Sequence, residues 1–334
     1  AVGRGSRGSG GAFRTGSPRL RRVLAGLACI CLMAGCSGAP TLPIIGKSTP
    51  KQLAALDAAK NLKGTVYFAQ DGKIWRLRGG SLAQVSPAGG RYAYPAVTAD
   101  GTTTAAALMA TGQSVIAFGG ADFSGLKPSK PLAGDPHRTG SIDLKPAFSP
   151  SGNRVAIMSD RSKGYSDEAI WEGALSGGLH QVSFPADSSG GSDAPQYLPD
   201  GSAIIFVAWR GNHSGLDTAS VPSGKARVLV PAATDHDILD PAPGPGDRMA
   251  FTQRQGEVEN IFVGPSSAVG ARPLTTFDDC RQPAWSPDGN NLLFISPHSG
   301  TFDLWTVPVA GGTALQLTAG ADIDANSRPA WIAG

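Results

Sequence analysis

Five aspartates recur in the loops of this 334-residue chain, each shortly before a short apolar segment. They are Asp143, Asp193, Asp240, Asp279 and Asp324. If the fold brings these loops around one opening, the carboxylates would form a negative focus for a cation, a basic peptide or another polar ligand. The alternative is that each carboxylate accepts hydrogen bonds from backbone amides of its own turn. We predict a candidate binding site at these five positions, although the corresponding loop nearer the N-terminus offers Arg91 and Tyr94 instead.

Other side chains capable of chemistry do not cluster in the sequence. None of the five histidines lies two or four residues from another, so the spacing predicts no metal site. Asp235, His236 and Asp237 are adjacent, but a loop histidine between carboxylates is more often a solvated turn than a catalytic base. No nucleophile elbow, phosphate loop, calcium loop or dinucleotide fingerprint occurs. We therefore predict no catalytic residues and no cofactor.

A seven-residue phrase recurs along the chain and supplies the frame for these loops. Its best copy, Pro-Ala-Trp-Ser-Pro-Asp-Gly, occupies residues 283–289. Copies of varying quality start at Pro95, Pro146, Pro195, Pro241, Pro283 and Pro329, and the last is truncated. Successive starts are 51, 49, 46, 42 and 46 residues apart. For units built of strands, a period of this length indicates the blades of a propeller.

Each complete unit has the pattern of a small four-stranded sheet. In the unit that starts at Pro283, the phrase forms the first strand and its Pro-Asp-Gly turn. Three more segments with apolar or alternating patterns follow, at residues 291–296, 303–307 and 314–318. Trp305 in the third segment corresponds to Trp171 in an earlier unit and to Trp75 near the N-terminus.

The truncated copy at Pro329 lacks three strands, and the N-terminal part of the domain has three strands with no unit of their own. These segments are 64–69, 73–78 and 82–86. We predict that they complete a shared sixth blade, because open sheet edges are costly. The predicted fold is an all-β, six-bladed β-propeller over residues 64–334, closed by N-terminal strands that pair with the C-terminal strand. A β-sandwich or two smaller domains is the alternative.

Residues 1–35 have the composition of an export signal. A basic flank precedes the apolar run 23–34, which is too short to span a bilayer of about 30 Å. The segment Leu32-Met33-Ala34-Gly35-Cys36 resembles the cleavage box of bacterial lipoproteins. The resemblance implies a diacylglyceryl group on Cys36, which would anchor the protein to the extracytoplasmic side of the cell membrane, periplasmic or cell-surface. A plain cleaved signal with a chance cysteine, an uncleaved anchor and twin-arginine export are the alternatives.

Removal of this segment changes the charge of the protein. Six arginines leave with it, so the 29 basic side chains fall to 23, against 26 acidic ones. A mildly acidic chain without a basic stripe argues against binding to nucleic acid. Cys29 and Cys31 also leave, Cys36 is expected to be acylated, and only Cys280 stays in the folded domain, so no intrachain disulfide is expected. We predict that Cys280 is a packed side chain and not a reactive thiol.

A tether and a short helix are predicted between Cys36 and the propeller, over residues 36–63. Glycine and proline after Cys36 suit an extended spacer. Thr49 and Pro50 have the pattern of a helix N-cap and first turn. Three leucines between residues 53 and 62 could share one helix face. We expect this helix to pack on the rim or base of the propeller.

The repeated phrase, with the apolar strand that follows it, resembles the repeat of TolB-type propellers, also called WD-like repeats. The resemblance spans residues 64–334 and is strongest at Pro283 and Pro146. In that family the propeller is an envelope module that binds other proteins, and related propellers form the non-catalytic half of prolyl oligopeptidase-type enzymes. This chain departs from both patterns, because it has no separate α/β domain before the first strand and no Gly-x-Ser-x-Gly motif.

The resemblance implies a monomeric, lipid-anchored propeller that binds a protein or membrane complex of the cell envelope and is not an enzyme. The absence of clustered histidines and nucleophile motifs agrees with that interpretation. The alternative is a propeller enzyme, a hydrolase or lyase, that acts on an envelope glycan or peptide within the channel.

Overall fold

The computed structural model describes residues 53–129, 141–161, 168–185, 190–222, 224–277 and 279–334. Six four-stranded antiparallel sheets are arranged as the blades of a propeller, so the predicted all-β six-bladed fold is confirmed. Phe68, Phe206 and Phe294 are among the large side chains buried completely in the sheets. Their burial supplies the apolar surface that holds blade to blade.

The chain begins with two short elements and three strands of the closing blade. These are β1 (Ala54–Ala55), α1 (Asp57–Lys60), β2 (Thr65–Gln70), β3 (Lys73–Arg78) and β4 (Ser81–Gln84). Blades one and two follow with β5 (Tyr92–Val97), β6 (Thr104–Ala110), β7 (Gln113–Gly119), β8 (Lys127–Pro128), β9 (Asp143–Phe148), β10 (Arg154–Ser159), β11 (Ala169–Ala174) and β12 (His180–Gln181). A single 3-10 turn, Ala121–Phe123, lies between β7 and β8.

Blades three to five have the same order from the inner strand to the outer. They comprise β13 (Gly191–Tyr197), β14 (Ala203–Arg210), β15 (His213–Ser220), β16 (Arg227–Val230), β17 (Asp237–Gly244), β18 (Arg248–Gln255), β19 (Val258–Pro265), β20 (Arg272–Pro273), β21 (Arg281–Trp285), β22 (Asn291–Ser296), β23 (Asp303–Pro308) and β24 (Leu315–Gln316). Two short strands end the chain, β25 (Thr318–Ala319) and β26 (Ala330–Ile332).

The ring is closed as the truncated repeat predicts. The sixth blade has the order β26, β2, β3, β4, so its inner strand comes from the C-terminus. Val66 of β2 pairs with Trp331 of β26 in antiparallel register. The Trp331 indole nitrogen also donates a hydrogen bond to the carbonyl of Lys63, at 2.9 Å. The two ends of the domain are thus joined by both backbone and side-chain contacts.

The aromatic residue of the repeated phrase packs between blades. Trp285 donates its indole N–H to the carbonyl of Ala242 in the preceding blade, at 2.7 Å. Tyr197 donates its hydroxyl to Glu172 of the preceding blade, at 2.9 Å. In blade two, the ring of Phe148 lies 6.2 Å from that of Phe118. This position of the phrase therefore serves blade-to-blade packing, which accounts for its recurrence.

The turn of the phrase is stabilised by its own aspartate and glycine. Gly289 has a φ of 69°, in the left-handed region, and its N–H donates to the carbonyl of Ser286 at 2.8 Å. Asp288 accepts hydrogen bonds from the Ser286 hydroxyl at 2.6 Å and from the Asn290 N–H at 3.0 Å. These bonds hold the pKa of Asp288 below its usual value. The turn aspartate is structural, as turn chemistry predicts.

The third strands carry a second repeat, which links them to the outer strands. Each repeated tryptophan stands opposite a glutamine: Trp75 opposite Gln84, Trp171 opposite Gln181 and Trp305 opposite Gln316. Two residues after each glutamine, the hydroxyl of Ser86, Ser183 or Thr318 accepts the backbone N–H of the residue before the tryptophan. The predicted equivalence of the three tryptophans is confirmed. The Gln-x-Ser/Thr pattern that follows each tryptophan is also visible in the sequence.

The segment before the propeller differs from the predicted helix. A strand, β1, occupies Ala54–Ala55 and pairs with β25, and α1 covers only Asp57–Lys60. The helix is shorter than predicted because β25 offers an unpaired edge that the backbone of β1 satisfies. Leu53 and Leu62 still pack against the core of the closing region, as expected of a segment seated on the propeller.

The predicted signal segment 1–35, Cys36 and the helix start at Thr49 lie outside the described residues. No helix within the described ranges is long and apolar enough to cross a membrane.

Replacement of Gly244 by alanine is expected to lower the free energy of unfolding by about 2 kcal/mol. A Cβ atom at Gly244 would lie 2.6 Å from the indole nitrogen of Trp285, which is held by its bond to Ala242. Urea denaturation measures the effect. Gly178→Ala is the matched control, because a Cβ there has open space, and it should change the free energy by less than about 0.5 kcal/mol. Equal midpoints for the two variants would contradict the packing described here.

Candidate binding site

A β-bulge interrupts the inner strand of five blades at the residue before the phrase's proline. The register shifts occur around Tyr94, Lys145, Ala194, Asp240 and Gln282. All five have a positive φ, between 49° and 57°, although none is a glycine. Such a conformation is uncommon for these residue types and costs about 1 kcal/mol or more at each position. Bulges turn side chains away from the pleat, and here they turn them toward the centre of the ring.

Four of the five bulge residues, all but Asp240, line a central channel. A cavity of about 240 Å³ lies inside the inner strands and receives residues from all six blades. One group of its lining residues is polar and comprises Tyr94, Lys145, Gln282, Asn326 and Arg328. The residues after the phrase's alanines add an apolar group, Val97, Phe148, Trp285 and Trp331. Apart from Ala194 and Gln196, the inner strands contribute polar residues before the proline and apolar ones after it, so polarity changes along the channel.

Lys145 is held in the channel by a carboxylate and an aromatic ring. Its Nζ lies 2.6 Å from Oδ2 of Asp193 and 5.9 Å from the centre of the Tyr94 ring. Burial alone would lower the pKa of Lys145, but Asp193, Tyr94 and Asp240 outweigh it and the pKa is raised. Burial also raises the pKa of the Tyr94 hydroxyl. Both groups therefore stay protonated at neutral pH.

Asp240 bridges blades four and five from its bulge position. Its Oδ2 accepts the hydroxyl of Thr252 at 2.9 Å, and its Oδ1 accepts the side-chain amide of Gln282 at 2.9 Å. The Gln282 backbone N–H adds a longer contact at 3.3 Å. With these donors the buried carboxylate has its hydrogen bonds satisfied within the protein.

Arg328 is the channel residue before the proline of the closing blade. All three of its guanidinium nitrogens are buried, and none has a hydrogen-bond partner among the described residues. Burial lowers the pKa of Arg328, and the carboxylates of Asp240 and Asp193 act in the opposite direction. An arginine remains charged at neutral pH despite such a shift. A buried charge without hydrogen bonds is costly, so this side chain needs an explanation beyond packing.

The structure brings together three of the five predicted aspartates. Asp193, Asp240 and Asp324 interact electrostatically with Lys145, and Asp193 and Asp240 also interact with Arg328. Burial raises the pKa of Asp324, whose Oδ1 accepts the N–H of Asn326 at 3.1 Å. None of the three is among the residues that line the cavity, so a binding role for them stays a prediction.

Asp143 and Asp279 have partners elsewhere. Asp143 is fully buried and is bound by Arg161 at 2.7 Å and Ser159 at 2.6 Å. Asp279 accepts from Arg281 at 2.8 Å and borders a separate, shallow cavity. The five carboxylates therefore do not gather around one opening, because two are paired elsewhere and the other three lie near Lys145. The predicted aspartates stand at different distances from the phrase, and only Asp240 among them occupies the bulge position.

The remaining sequence candidates have ordinary surroundings. Cys280 is fully buried and donates to the carbonyl of Phe277, so its prediction as a packed cysteine is confirmed. His236 contacts Asp235 at 2.9 Å, and that aspartate is largely exposed. Within the described ranges, no three His, Cys, Asp or Glu side chains are grouped as a metal site requires.

One sequence signal could have located the channel residues. Tyr94, Lys145, Ala194, Asp240, Gln282 and Arg328 each directly precede a proline that begins a copy of the phrase. Their types differ, so composition alone does not set them apart. Their shared position does, because the phrase and its bulge repeat together.

The comparisons with known proteins support the fold alone. No protein family model and no curated protein matches this sequence. TolB from Acinetobacter baumannii is similar in structure, with a TM-score of 0.63 at 16% identity over 80% of this chain and 66% of that one. The chain thus spans about two thirds of the length of that TolB.

Two further solved structures show how widely this fold occurs. In a nidogen/laminin complex, the similar chain has a TM-score of 0.60 at 11% identity over 80% of this chain and 98% of that one. A puromycin-hydrolysing peptidase of Mycobacterium tuberculosis has a TM-score of 0.54 at 15% identity over 76% of this chain and 42% of that one. At such identities the likeness shows a shared propeller and no shared activity.

Proposed function

We propose that this protein is a lipid-anchored module of the bacterial cell envelope whose propeller channel binds a protein partner. The observation that carries the proposal is the cavity inside the ring of bulged inner strands, where Lys145 and Arg328 line the same space and Arg328 has no hydrogen-bond partner among the described residues. Strained backbone repeated in five blades is costly, and it concentrates at sites where side chains must be presented to a ligand. A similar propeller in a nidogen/laminin complex supports protein binding as the role.

The proposed module is not an enzyme. Lys145 and Tyr94 are the channel groups best suited to move a proton, but the pKa of each is raised away from neutrality. An efficient general acid or base has a pKa near the working pH. These shifts favour a binding channel over a hydrolase or lyase acting on an envelope glycan or peptide.

A pull-down from membranes tests the proposal. The lipidated protein is recovered with a C-terminal affinity tag after mild solubilisation, and co-purifying proteins are quantified. We expect one stoichiometric envelope protein that is lost when Lys145 is replaced by Glu, since that change reverses a buried channel charge. Glu257→Lys on the exposed surface is the control. Turnover of an envelope glycan or peptide without a stoichiometric partner would refute the proposal in favour of an enzyme.

The lipid anchor is tested separately. Cys36→Ser in the full chain is expected to abolish labelling with radioactive palmitate and to move the protein from the membrane fraction to the soluble extracytoplasmic fraction. The reason is that only a thiol at this place can carry the diacylglyceryl group, and two acyl chains give stable anchoring where one does not. Cys31→Ser, within the predicted signal, is the matched control and should leave labelling unchanged. Membrane retention of the Cys36→Ser protein equal to wild type would show that the anchor lies elsewhere.

A further inference from the structure

Arg328 has more hydrogen-bonding capacity than the channel uses. A guanidinium group carries five N–H donors in a planar fork that matches a carboxylate. Here its three nitrogens are buried, yet they donate to no described residue. The other channel residue of like charge, Lys145, has its own carboxylate at 2.6 Å. Arg328 is thus the channel cation whose partner is missing.

The neighbouring carboxylates are engaged by other donors. Asp193 binds Lys145 and also accepts the N–H of Ala194 at 2.7 Å. Asp240 accepts from Thr252 and Gln282, as described above. Both attract Arg328 through space without a hydrogen bond to it. The pairing in the channel therefore leaves the guanidinium group of Arg328 without an acceptor among the described residues.

We propose that the channel recognises a carboxylate on the bound peptide and that Arg328 is the residue that binds this carboxylate. This inference rests on the proposed function, since it assigns the chemistry of the partner segment. The cavity of about 240 Å³ is smaller than most sites for whole small molecules, which start near 300 Å³. It suits a chain end or a single acidic side chain, with the rest of the partner at the mouth.

The lining fits such a group. A carboxylate at Arg328 forms paired, charge-assisted hydrogen bonds, which are among the strongest in proteins. The hydroxyl of Tyr94 and the amide of Asn326 line the same cavity and can donate further bonds. The guanidinium nitrogens are shielded from solvent in the free protein, so a neighbouring side chain must move to admit the ligand.

The Arg328→Met substitution distinguishes a ligand-binding arginine from an arginine with a purely structural role. The change removes an unpaired buried charge and keeps an unbranched side chain, so the free protein should become more stable, with a Tm higher by about 2 °C or more. Binding of carboxylate peptides should weaken by about 30-fold or more. Arg227→Met, at an exposed site on β16, removes the same charge and should change neither property.

The experiment uses three pools of random hexapeptides retained on the immobilised protein and quantified by mass spectrometry. One pool has a free C-terminal carboxylate and no acidic side chains, a second has Asp or Glu and an amidated end, and a third is amidated and free of acidic residues. We expect wild type and Arg227→Met to retain the first or the second pool, which identifies the source of the carboxylate, and Arg328→Met to retain neither. Equal retention of the third pool, equal retention on Arg328→Met, or retention of no pool by wild type would overturn the proposal.

These outcomes separate this inference from the function on which it rests. If the membrane pull-down yields a partner that Arg328→Met still binds with wild-type affinity, the channel docks protein but Arg328 does not read a carboxylate. If the peptide pools bind through Arg328 while no membrane partner is recovered, the carboxylate site stands and the proposed role in protein docking fails.

Discussion

A chain that ends at Arg328 is expected to lose about 5 kcal/mol or more of its free energy of unfolding. The truncation removes β26, and with it the three backbone pairs to β2 and the half-buried indole of Trp331. Loss of a packed tryptophan costs about 3 to 5 kcal/mol, and each lost hydrogen bond about 1 kcal/mol. It also opens β2, whose Val66 and Phe68 are fully buried in the closed ring. Denaturation monitored by tryptophan fluorescence measures the loss.

The control for this truncation removes only Ala333 and Gly334, which are exposed and lie beyond β26. We expect that shorter chain to unfold within about 0.5 kcal/mol of the intact protein. The ring closure would be of no energetic consequence if both truncated chains unfolded at the same midpoint as the intact protein.

Asp303→Ala is expected to destabilise the protein by about 3 to 5 kcal/mol. Asp303 begins β23, is completely buried, and accepts hydrogen bonds from Ser299, Thr301, Gln316, Thr318 and the backbone of Ala321. Its removal deprives two buried donors and three half-buried ones of this acceptor, and each buried donor left unpaired costs about 1 to 3 kcal/mol. Two of them hold β24 and β25 against the blade, so the edge that pairs with β1 loosens as well.

Asp288→Ala is the matched control, because Asp288 also accepts from a hydroxyl and a backbone N–H but stands exposed in its turn. It should cost much less than Asp303→Ala, since water replaces the lost bonds. Chemical denaturation measures the free energy of unfolding of both variants. If Asp303→Ala lowers it no more than Asp288→Ala does, burial of the hydrogen-bond network adds nothing to stability.

Much of the fold followed from the sequence because the repeated residues perform the same task in every blade. In blades two, three and five the phrase's aromatic residue contacts the preceding blade, and in four copies its glycine closes the turn, so the period is visible without a structure. The truncated copy at Pro329 indicates where the ring closes, because the strand β26 pairs with strands from the N-terminal region. The helix predicted from Thr49 could not be bounded, because pairing with β25 is a tertiary contact that local pattern does not reveal.

The candidate site was harder to predict because conformation creates it. Tyr94, Lys145 and Gln282 reach the channel through a left-handed backbone that glycine would have signalled and that these residues do not. Residue type alone indicated the predicted carboxylates, and their spacing from the phrase varies. Asp143, for example, forms a buried ion pair with Arg161. Arg328 is marked in the sequence only by the proline that follows it, a position that it shares with the other channel residues. Its importance comes from buried nitrogens without partners, which only coordinates show.

Site-specific photo-crosslinking tests most directly whether the channel is where this protein binds its partner. Asn326 lines the channel and is exposed, so a benzophenone side chain can be placed there, and Arg227 on β16 supplies an exposed site on an outer strand for comparison. After irradiation of intact cells, we expect one crosslinked envelope protein from position 326 and none from position 227. A crosslink from position 227 with none from position 326 would contradict binding at the channel.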